Sequence, residues 1–395
     1  MHKEIVTVYK EYNKIPLPFN PLLLFLFAIL GDAIFELYFH NQYWSPFSYS
    51  PTAIYNGSVI ILYVESFIAI SLGFLFSYIS YDIVRIKKAC DEKKFTVRID
   101  RLNLIAFVLF VILLLNLIIS QLALGNSNFI NILHGKVSAL LIHKKIKKAY
   151  FGNQGISLIT AYCIVILWYS YKRLNLKVNK WLKAGVILAL FQFISISEAQ
   201  GFLYFFSAYI MQKKADYKTW IKILLSFIII LIVFIITRII RNPGHNIMFN
   251  FHNIILFIFG PYLGSPVANT TYIFINHYRG NFLNLFANMI PHKLANLKSN
   301  LQQRLPDPMS PEGLVGAAFM FGGAIFLFYY SLFIGVLVSW FYIMSRKFFS
   351  FEIFLPFLLV TVAFCMMYNN FLNLNFFWIP LLFSFIVQWS AVKPH

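Results

Sequence analysis

The sequence predicts an all-α protein that crosses a membrane many times, and two observations carry this prediction. Of the 395 residues, 59% are hydrophobic and only 12% are charged, whereas about 25% of the residues of a soluble domain are charged. Apolar stretches also recur from one end of the chain to the other, at close to the length of about 20 residues that a membrane-spanning helix needs. We therefore expect residues 1–395 to form a single integral membrane domain.

Ten apolar stretches qualify as spans. They lie near residues 20–39, 57–81, 103–124, 155–171, 182–197, 199–212, 218–238, 314–344, 351–368 and 372–391. The fifth and sixth are short and are joined by a tight turn at 197–201, and the eighth is long enough to begin as an interfacial helix.

The distribution of lysine and arginine predicts the orientation, because the cytoplasmic loops of membrane proteins are enriched in both. The connection 82–102 holds seven such residues, while 40–56 and 369–371 hold none. Ten spans with both termini in the cytoplasm place all the short basic loops inside. The net charge of +19 then follows from topology, and nucleic acid is not an expected partner.

Two basic connections fall on the external side in this topology. Residues 125–154 form a basic external loop, and residues 239–313 form a large external loop between the seventh and eighth spans, in which we expect short interfacial helices. Long loops are translocated whatever their charge, and surface lysines also lie along anionic lipid headgroups. The basic residues of these two loops can therefore be explained without a bound ligand. Alternatively, the arginines of the large loop bind an anionic substrate.

Ionisable residues within or beside the spans are the next candidates, because their burial in a membrane is costly. Asp32 and Glu36 share one face of the first helix, where they either bind a cation or face water at the helix end. Glu198 lies in the turn between the fifth and sixth spans. Arg238 and Arg241 end the seventh span three residues apart, so two guanidiniums either bracket a diphosphate or anchor the helix at the headgroups.

Sequence motifs of several other enzyme and transporter classes are absent from the chain. The chain contains no D-x-D, H-E-x-x-H, G-x-S-x-G or G-x-x-x-x-G-K-[ST] sequence, so nucleotide-driven transport and cytoplasmic nucleotide-sugar chemistry are not expected.

The segment 307–323, DPMSPEGLVGAAFMFGG, enters the long eighth span directly after the large loop. It resembles the Wzy-type O-antigen polymerases, in which a Pro/Gly-rich stretch leads into an aromatic-Gly helix. A short-span pair with a Ser/Gly turn at 195–201, a Tyr-Leu-Gly-Ser-Pro stretch at 262–266 and a Pro-His-Lys segment at 291–293 are similar as well. Where family members often carry an arginine in the turn after the fifth span, this chain has Glu198.

The resemblance implies a GT-C-like, all-helical glycosyltransferase of the bacterial inner membrane, with its active site facing the periplasm. It would polymerise undecaprenyl-diphosphate-linked repeat units without a metal or other cofactor. Its partners would be the lipid-linked donor and acceptor and the bilayer, and a polysaccharide chain-length regulator is a further candidate. The expected diphosphate ligands are Arg238, Arg241, Arg279, Lys293 and Arg304, and the candidate bases are Glu198, Glu312 and His292.

Other functions stay open at this point. Within lipid-linked glycan chemistry the alternatives are an O-antigen ligase or a GT-C enzyme in which Asp32 and Glu36 hold a divalent cation. Outside it, the alternative is a flippase or transporter for lipid-linked sugars, although flippases need no folded external loop. The sugars joined, the linkage, the stereochemical outcome and the oligomeric state are not encoded in any recognisable pattern.

Overall fold

A computed structural model describes the helical body of the protein and three short strands. The described residues are 5–10, 20–39, 57–83, 93–124, 153–195, 199–212, 265–275, 313–365 and 373–394, together with residue 371 and four positions between 221 and 232.

The described elements are ten α-helices, three strands and one π-helical turn, Leu374–Trp378. In chain order the strands and α-helices are β1 (Ile5–Lys10), α1 (Pro21–Phe39), α2 (Gly57–Ile83), β2 (Lys93–Arg98), α3 (Ile99–Leu124), α4 (Asn153–Arg173), α5 (Lys180–Ser195), α6 (Ala199–Ile210), α7 (Ser265–Ile275), α8 (Leu314–Met344), α9 (Phe349–Ala363), α10 (Ile379–Ala391) and β3 (Val392–Pro394).

The predicted helices are confirmed wherever the structure describes them. Every predicted span except 218–238, of which only four positions are described, coincides with an observed helix. Three of these helices are long and apolar enough to cross a membrane, namely Val59–Ser80, Ile99–Ile118 and Leu314–Met344. The protein is thus a helical membrane protein, and the number of ten crossings stays a prediction.

Large apolar side chains point outward along the longest helices. Ile61 on α2 is 66% exposed and Ile325 on α8 is 76% exposed. A soluble protein would rarely present long apolar faces to water, whereas lipid chains solvate them without cost. These helices therefore present their outer faces to the hydrocarbon of a bilayer.

A three-stranded antiparallel sheet corrects the expectation of a purely helical chain. Ile5 lies opposite Arg98 at one end of the β1–β2 ladder, and Val97 of β2 lies opposite Val392 of β3. Val97 and Val392 are both buried. Because the strands come from the amino-terminal segment, the α2–α3 connection and the carboxyl-terminal segment, the sheet gathers all three at one end of the helical body.

Helices α2 and α8 cross at small residues, which lets their backbones meet. A Cβ atom added to Gly73 would lie 2.5 Å from the carbonyl oxygen of Leu332, and one added to Gly335 would lie 2.9 Å from the Cα atom of Ile70. Beside this contact the hydroxyls of Ser66 and Ser331 share a buried hydrogen bond of 2.8 Å. The crossing therefore fixes α8 against α2 along much of its length.

The end of the body that carries the sheet is held together by polar side chains. We call it the basic end, and it comprises the sheet, the start of α3, the α4–α5 turn and the start of α9. The guanidinium of Arg173, in the last turn of α4, forms a buried ion pair with Glu352, in the first turn of α9. Its Nε atom donates to Glu352 Oε1 over 2.6 Å.

A second polar contact at the basic end joins three helices. The Tyr171 hydroxyl donates to Asn103 Oδ1 over 2.8 Å, and the Asn179 amide donates to the same oxygen over 2.5 Å. Asn179 also accepts from the backbone N–H of Leu182 over 2.7 Å, as the N-cap of α5. The α4–α5 turn is therefore fixed against the start of α3.

Candidate functional site

The eight residues predicted to form the active site lie outside the described residues. This holds for the candidate bases Glu198, Glu312 and His292, and equally for the five diphosphate ligands, Arg238, Arg241, Arg279, Lys293 and Arg304. The structure describes the elements that flank several of these positions in the chain. What the structure shows of the site is therefore the helices that adjoin these positions in the chain.

Helix α7 is the part of the large loop that the structure describes, and it packs against α8, α1 and α2. Its Thr270 hydroxyl lies 3.5 Å from the hydroxyl of Tyr63 on α2. On the other side, a Cβ atom added to Gly316 of α8 would lie 2.9 Å from the same Thr270 oxygen. A segment of the large loop is therefore wedged between two membrane helices.

The two described threonines of α7 form hydrogen bonds within the helix itself. Thr270 donates to the carbonyl of Pro266 over 2.8 Å, and Thr271 donates to the carbonyl of Val267 over 2.9 Å. Both threonines are buried. Because their hydroxyls bond to backbone carbonyls, these two threonines stabilise α7 where it packs between α2 and α8.

The start of α8 lies at the same end of the body. The backbone N–H of Leu314 donates to the carbonyl of Cys365, just beyond the end of α9, over 2.8 Å. Gly313 forms the extended N-cap, and the candidate base Glu312 directly precedes it in the chain. We call this region the large-loop end, and it comprises α7, the start of α2, the start of α8 and the end of α9.

A kink at Gly323 divides α8 into a short first part and a long second part. Gly323 has φ +71° and ψ −166°, a backbone conformation that is accessible essentially to glycine alone. The nine residues from Leu314 to Gly322 are mostly buried, so the first part is packed inside the protein. The structure thus shows a buried, kinked start of α8, and its position at the membrane interface stays a prediction.

Asp32 of α1 is buried, with 1% of its surface exposed. The interpretation that this carboxyl faces water at a helix end is therefore wrong for Asp32. Helix α1 contacts α2, α7, α8 and α9, so Asp32 belongs to the packed body. The side chain of Glu36 lies outside the described residues. Within the described part of the chain, no group of three or more His, Cys, Asp or Glu side chains is placed to hold a metal ion.

The short helices α5 and α6 enter an aromatic cluster formed by Tyr162, Phe193, Tyr204 and Phe357. The Tyr162 ring stacks on Phe193 near the end of α5 with centroids 5.6 Å apart. The Tyr204 ring stacks on Phe357 with centroids 4.2 Å apart. All four side chains are buried, and Tyr162 lies in the middle of α4. Phe193 and Tyr204, on either side of the predicted turn at 197–201, are therefore buried in the bundle, while Glu198 itself lies outside the described residues.

Several polar contacts were missed by the sequence analysis. Nothing in the sequence singled out Thr270 or Tyr63, because threonine and tyrosine are common in apolar helices and their burial in a membrane costs little free energy. Arg173 and Glu352 carried a signal that was not used, since charges at the ends of long apolar helices need a partner when they are buried.

The comparisons with known proteins identify no relative. No protein-family model matches the chain, and neither a curated protein nor a solved structure matches it.

Proposed function

We propose that the protein is a polyprenyl-diphosphate-dependent glycosyltransferase that polymerises lipid-linked oligosaccharide repeat units into O-antigen or a related polysaccharide. The observation that carries this proposal is the junction at the large-loop end, where the segment 307–323 that resembles Wzy-type polymerases enters α8. The part of this segment that is described begins a buried helix and kinks at Gly323. Helix α7 of the same large loop packs against that helix. These contacts support a loop anchored over the membrane helices, as a lipid-linked substrate requires.

The chemistry follows from the types of the proposed site residues. A hydroxyl of the acceptor sugar attacks the anomeric carbon of the donor glycan, and the bond from that carbon to the diphosphate oxygen breaks. The leaving undecaprenyl diphosphate takes the bonding electron pair, and the hydroxyl proton passes to Glu198, Glu312 or His292. Guanidinium and ammonium groups stabilise the negative charge that develops on the diphosphate. Arg238, Arg241, Arg279, Lys293 and Arg304 are proposed for this task.

The proposed location is the bacterial inner membrane, with both termini in the cytoplasm and the active site facing the periplasm. The sheet supports the placement of the termini, because it joins residues 5–10 and 392–394 to the lysine- and arginine-rich connection 82–102. Basic connections of this kind are retained in the cytoplasm. The large-loop end, where α8 begins, then faces the periplasm.

The glycan size distribution on cells tests the proposal. Deletion of the protein is expected to leave glycans of a single repeat unit, and Arg304→Ala or Arg241→Ala at normal expression is expected to do the same. Lys298→Ala is the matched control, because it removes a positive charge from the same loop at a position not assigned to the diphosphate. It should leave the polymer length unchanged.

Three other outcomes would contradict the proposal. Deletion that abolishes all surface glycan while lipid-linked repeats remain on the cytoplasmic side identifies a flippase. Deletion that leaves full-length polymer on its lipid carrier identifies a ligase. If deletion shortens the glycan but both arginine variants polymerise normally, polymerase function stands and the assigned diphosphate ligands are wrong.

A further inference from the structure

We propose that a cleft at the basic end binds the headgroup of an anionic phospholipid. The cleft lies where α4 ends and α5 begins, and its volume is about 550 Å³. It is lined by three lysines and by apolar side chains, namely Trp168, Lys172, Leu176, Lys177, Val178, Lys183, Val186 and Ile187.

The charge of the described lining is positive. Lys172, Lys177 and Lys183 contribute three ammonium groups, and no carboxylate is among the lining residues that the structure describes. Glu352, at the start of α9, is engaged by Arg173 in the buried ion pair. An anion that binds in the cleft can form ion pairs with the three ammonium groups that line it.

The apolar part of the lining distinguishes a lipid from a free anion. The Trp168 ring is held in place by stacking on Phe205, with centroids 4.7 Å apart. Ile187, one turn beyond Lys183 on α5, is 68% exposed. An acyl chain can lie along this surface while the phosphate meets the lysines above it. A small inorganic anion would leave the same surface uncovered, so the arrangement fits an anionic phospholipid.

The cleft is preformed rather than assembled by its ligand. The Asn179 cap and the Tyr171 hydroxyl bond fix the turn that carries Lys177. Within this turn Asn175 has φ +52°, a left-handed conformation that asparagine tolerates better than most residues. Little conformational entropy is therefore lost at the turn when a headgroup binds.

Retention of added phospholipid by the purified full-length protein tests the proposal. The protein in detergent is titrated with phosphatidylglycerol or phosphatidylcholine, and bound lipid is counted by native mass spectrometry. The wild type should retain phosphatidylglycerol in preference to phosphatidylcholine. Changing Lys172, Lys177 and Lys183 to glutamine should weaken phosphatidylglycerol retention by about fivefold for each lysine removed, with no change for phosphatidylcholine.

Two matched variants control for total charge and for folding. Lys180→Gln removes an adjacent lysine that lies over the Trp181 ring, 4.9 Å from its centroid, and is not part of the lining, so it should retain the lipid like the wild type. The corresponding triple change to arginine keeps the charge and should restore retention. If the glutamine triple variant does not fold, Lys177→Gln alone replaces it, with about a fivefold loss expected.

Three results would overturn the proposal. Wild-type retention by a folded glutamine variant removes the lysines from the site. An equal loss in Lys180→Gln shows a general attraction of the basic end for anions. Complete displacement of the lipid by inorganic phosphate shows a phosphate site that makes no use of the apolar wall.

Discussion

The two ends of this protein are built with different kinds of polar contact. At the basic end, charged and amide side chains bind one another across helices, as Arg173 does with Glu352 and Tyr171 with Asn103. At the large-loop end the described polar contacts join groups without charge, as between the hydroxyls of Tyr63 and Thr270 and between the backbones of Leu314 and Cys365. The charged side chains proposed to bind the substrate lie outside the described residues.

This difference suggests that the basic end has a structural role and that the large-loop end has a chemical role. An ion pair satisfied inside the bundle fixes the positions of helices, and it leaves little charge for a substrate. At the other end, the described polar contacts of α7 and of the start of α8 are made by groups without charge. We therefore expect substitutions at the basic end to act on stability and those at the large-loop end to act on activity.

Glu352→Gln should produce the largest effect on stability. It leaves the Arg173 guanidinium buried with a neutral partner, and removing one member of a buried pair costs about 3–5 kcal/mol. Denaturation in detergent micelles measures this loss. Activity for each folded molecule should stay at the wild-type value, because the pair lies at the end opposite the proposed site.

A double variant sharpens this first prediction. Arg173→Met combined with Glu352→Leu removes both charges and should recover much of the lost stability. A double variant that is as unstable as Glu352→Gln would show that the two side chains do not act as a pair.

Gly323→Ala should have a smaller effect on stability and a larger one on activity. The observed backbone at Gly323 is strained for any residue with a Cβ atom, which predicts a cost of about 1–2 kcal/mol. Straightening of α8 at this point would shift the start of the helix against α7, so polymerisation should fall more than stability does. Gly185→Ala on α5 is the control, since the added Cβ would meet Ile164 at an ordinary 3.4 Å. Equal loss of activity in both variants would argue against a specific role for the kink.

Tyr171→Phe should produce the smallest change. It deletes the hydrogen bond that Tyr171 donates to Asn103 and the longer one, of 3.3 Å, that Tyr171 accepts from Asn179. Because Asn179 continues to donate to Asn103 Oδ1, the expected loss of stability is about 0.5–1.5 kcal/mol. Thermal unfolding in detergent, compared with the wild type, measures it. A loss as large as that of Glu352→Gln would mean that the three-residue contact, rather than the ion pair, holds the basic end together.

The helices could be predicted from the sequence far better than the contacts between them. The span 314–344 was predicted with its observed bounds, because an uninterrupted apolar run has one low-energy structure in a bilayer. The kink within it was not predicted, although Gly322 and Gly323 mark a place where one could form. Local composition thus determined the helix, and tertiary packing determined its shape.

The sheet and the buried polar pairs depend on tertiary structure and had weaker signals. Strand β2 alternates apolar and polar residues from Phe95 to Arg98, but its partners β1 and β3 are distant in the chain. Arg173 and Glu352 are 179 residues apart, so no local pattern pairs them. The proposed site residues were selected by charge and by resemblance, and they stay predictions.

Polymerisation by the purified protein tests the proposed division of roles most directly. The wild type, Arg304→Ala and Lys180→Gln would be reconstituted in liposomes with undecaprenyl-diphosphate-linked repeat units, and the product lengths resolved on a gel. We predict a ladder of polymers for the wild type and for Lys180→Gln, and single repeat units for Arg304→Ala. A wild-type ladder from Arg304→Ala would contradict the assigned diphosphate site, and the absence of any ladder from the folded wild type would contradict polymerase function itself.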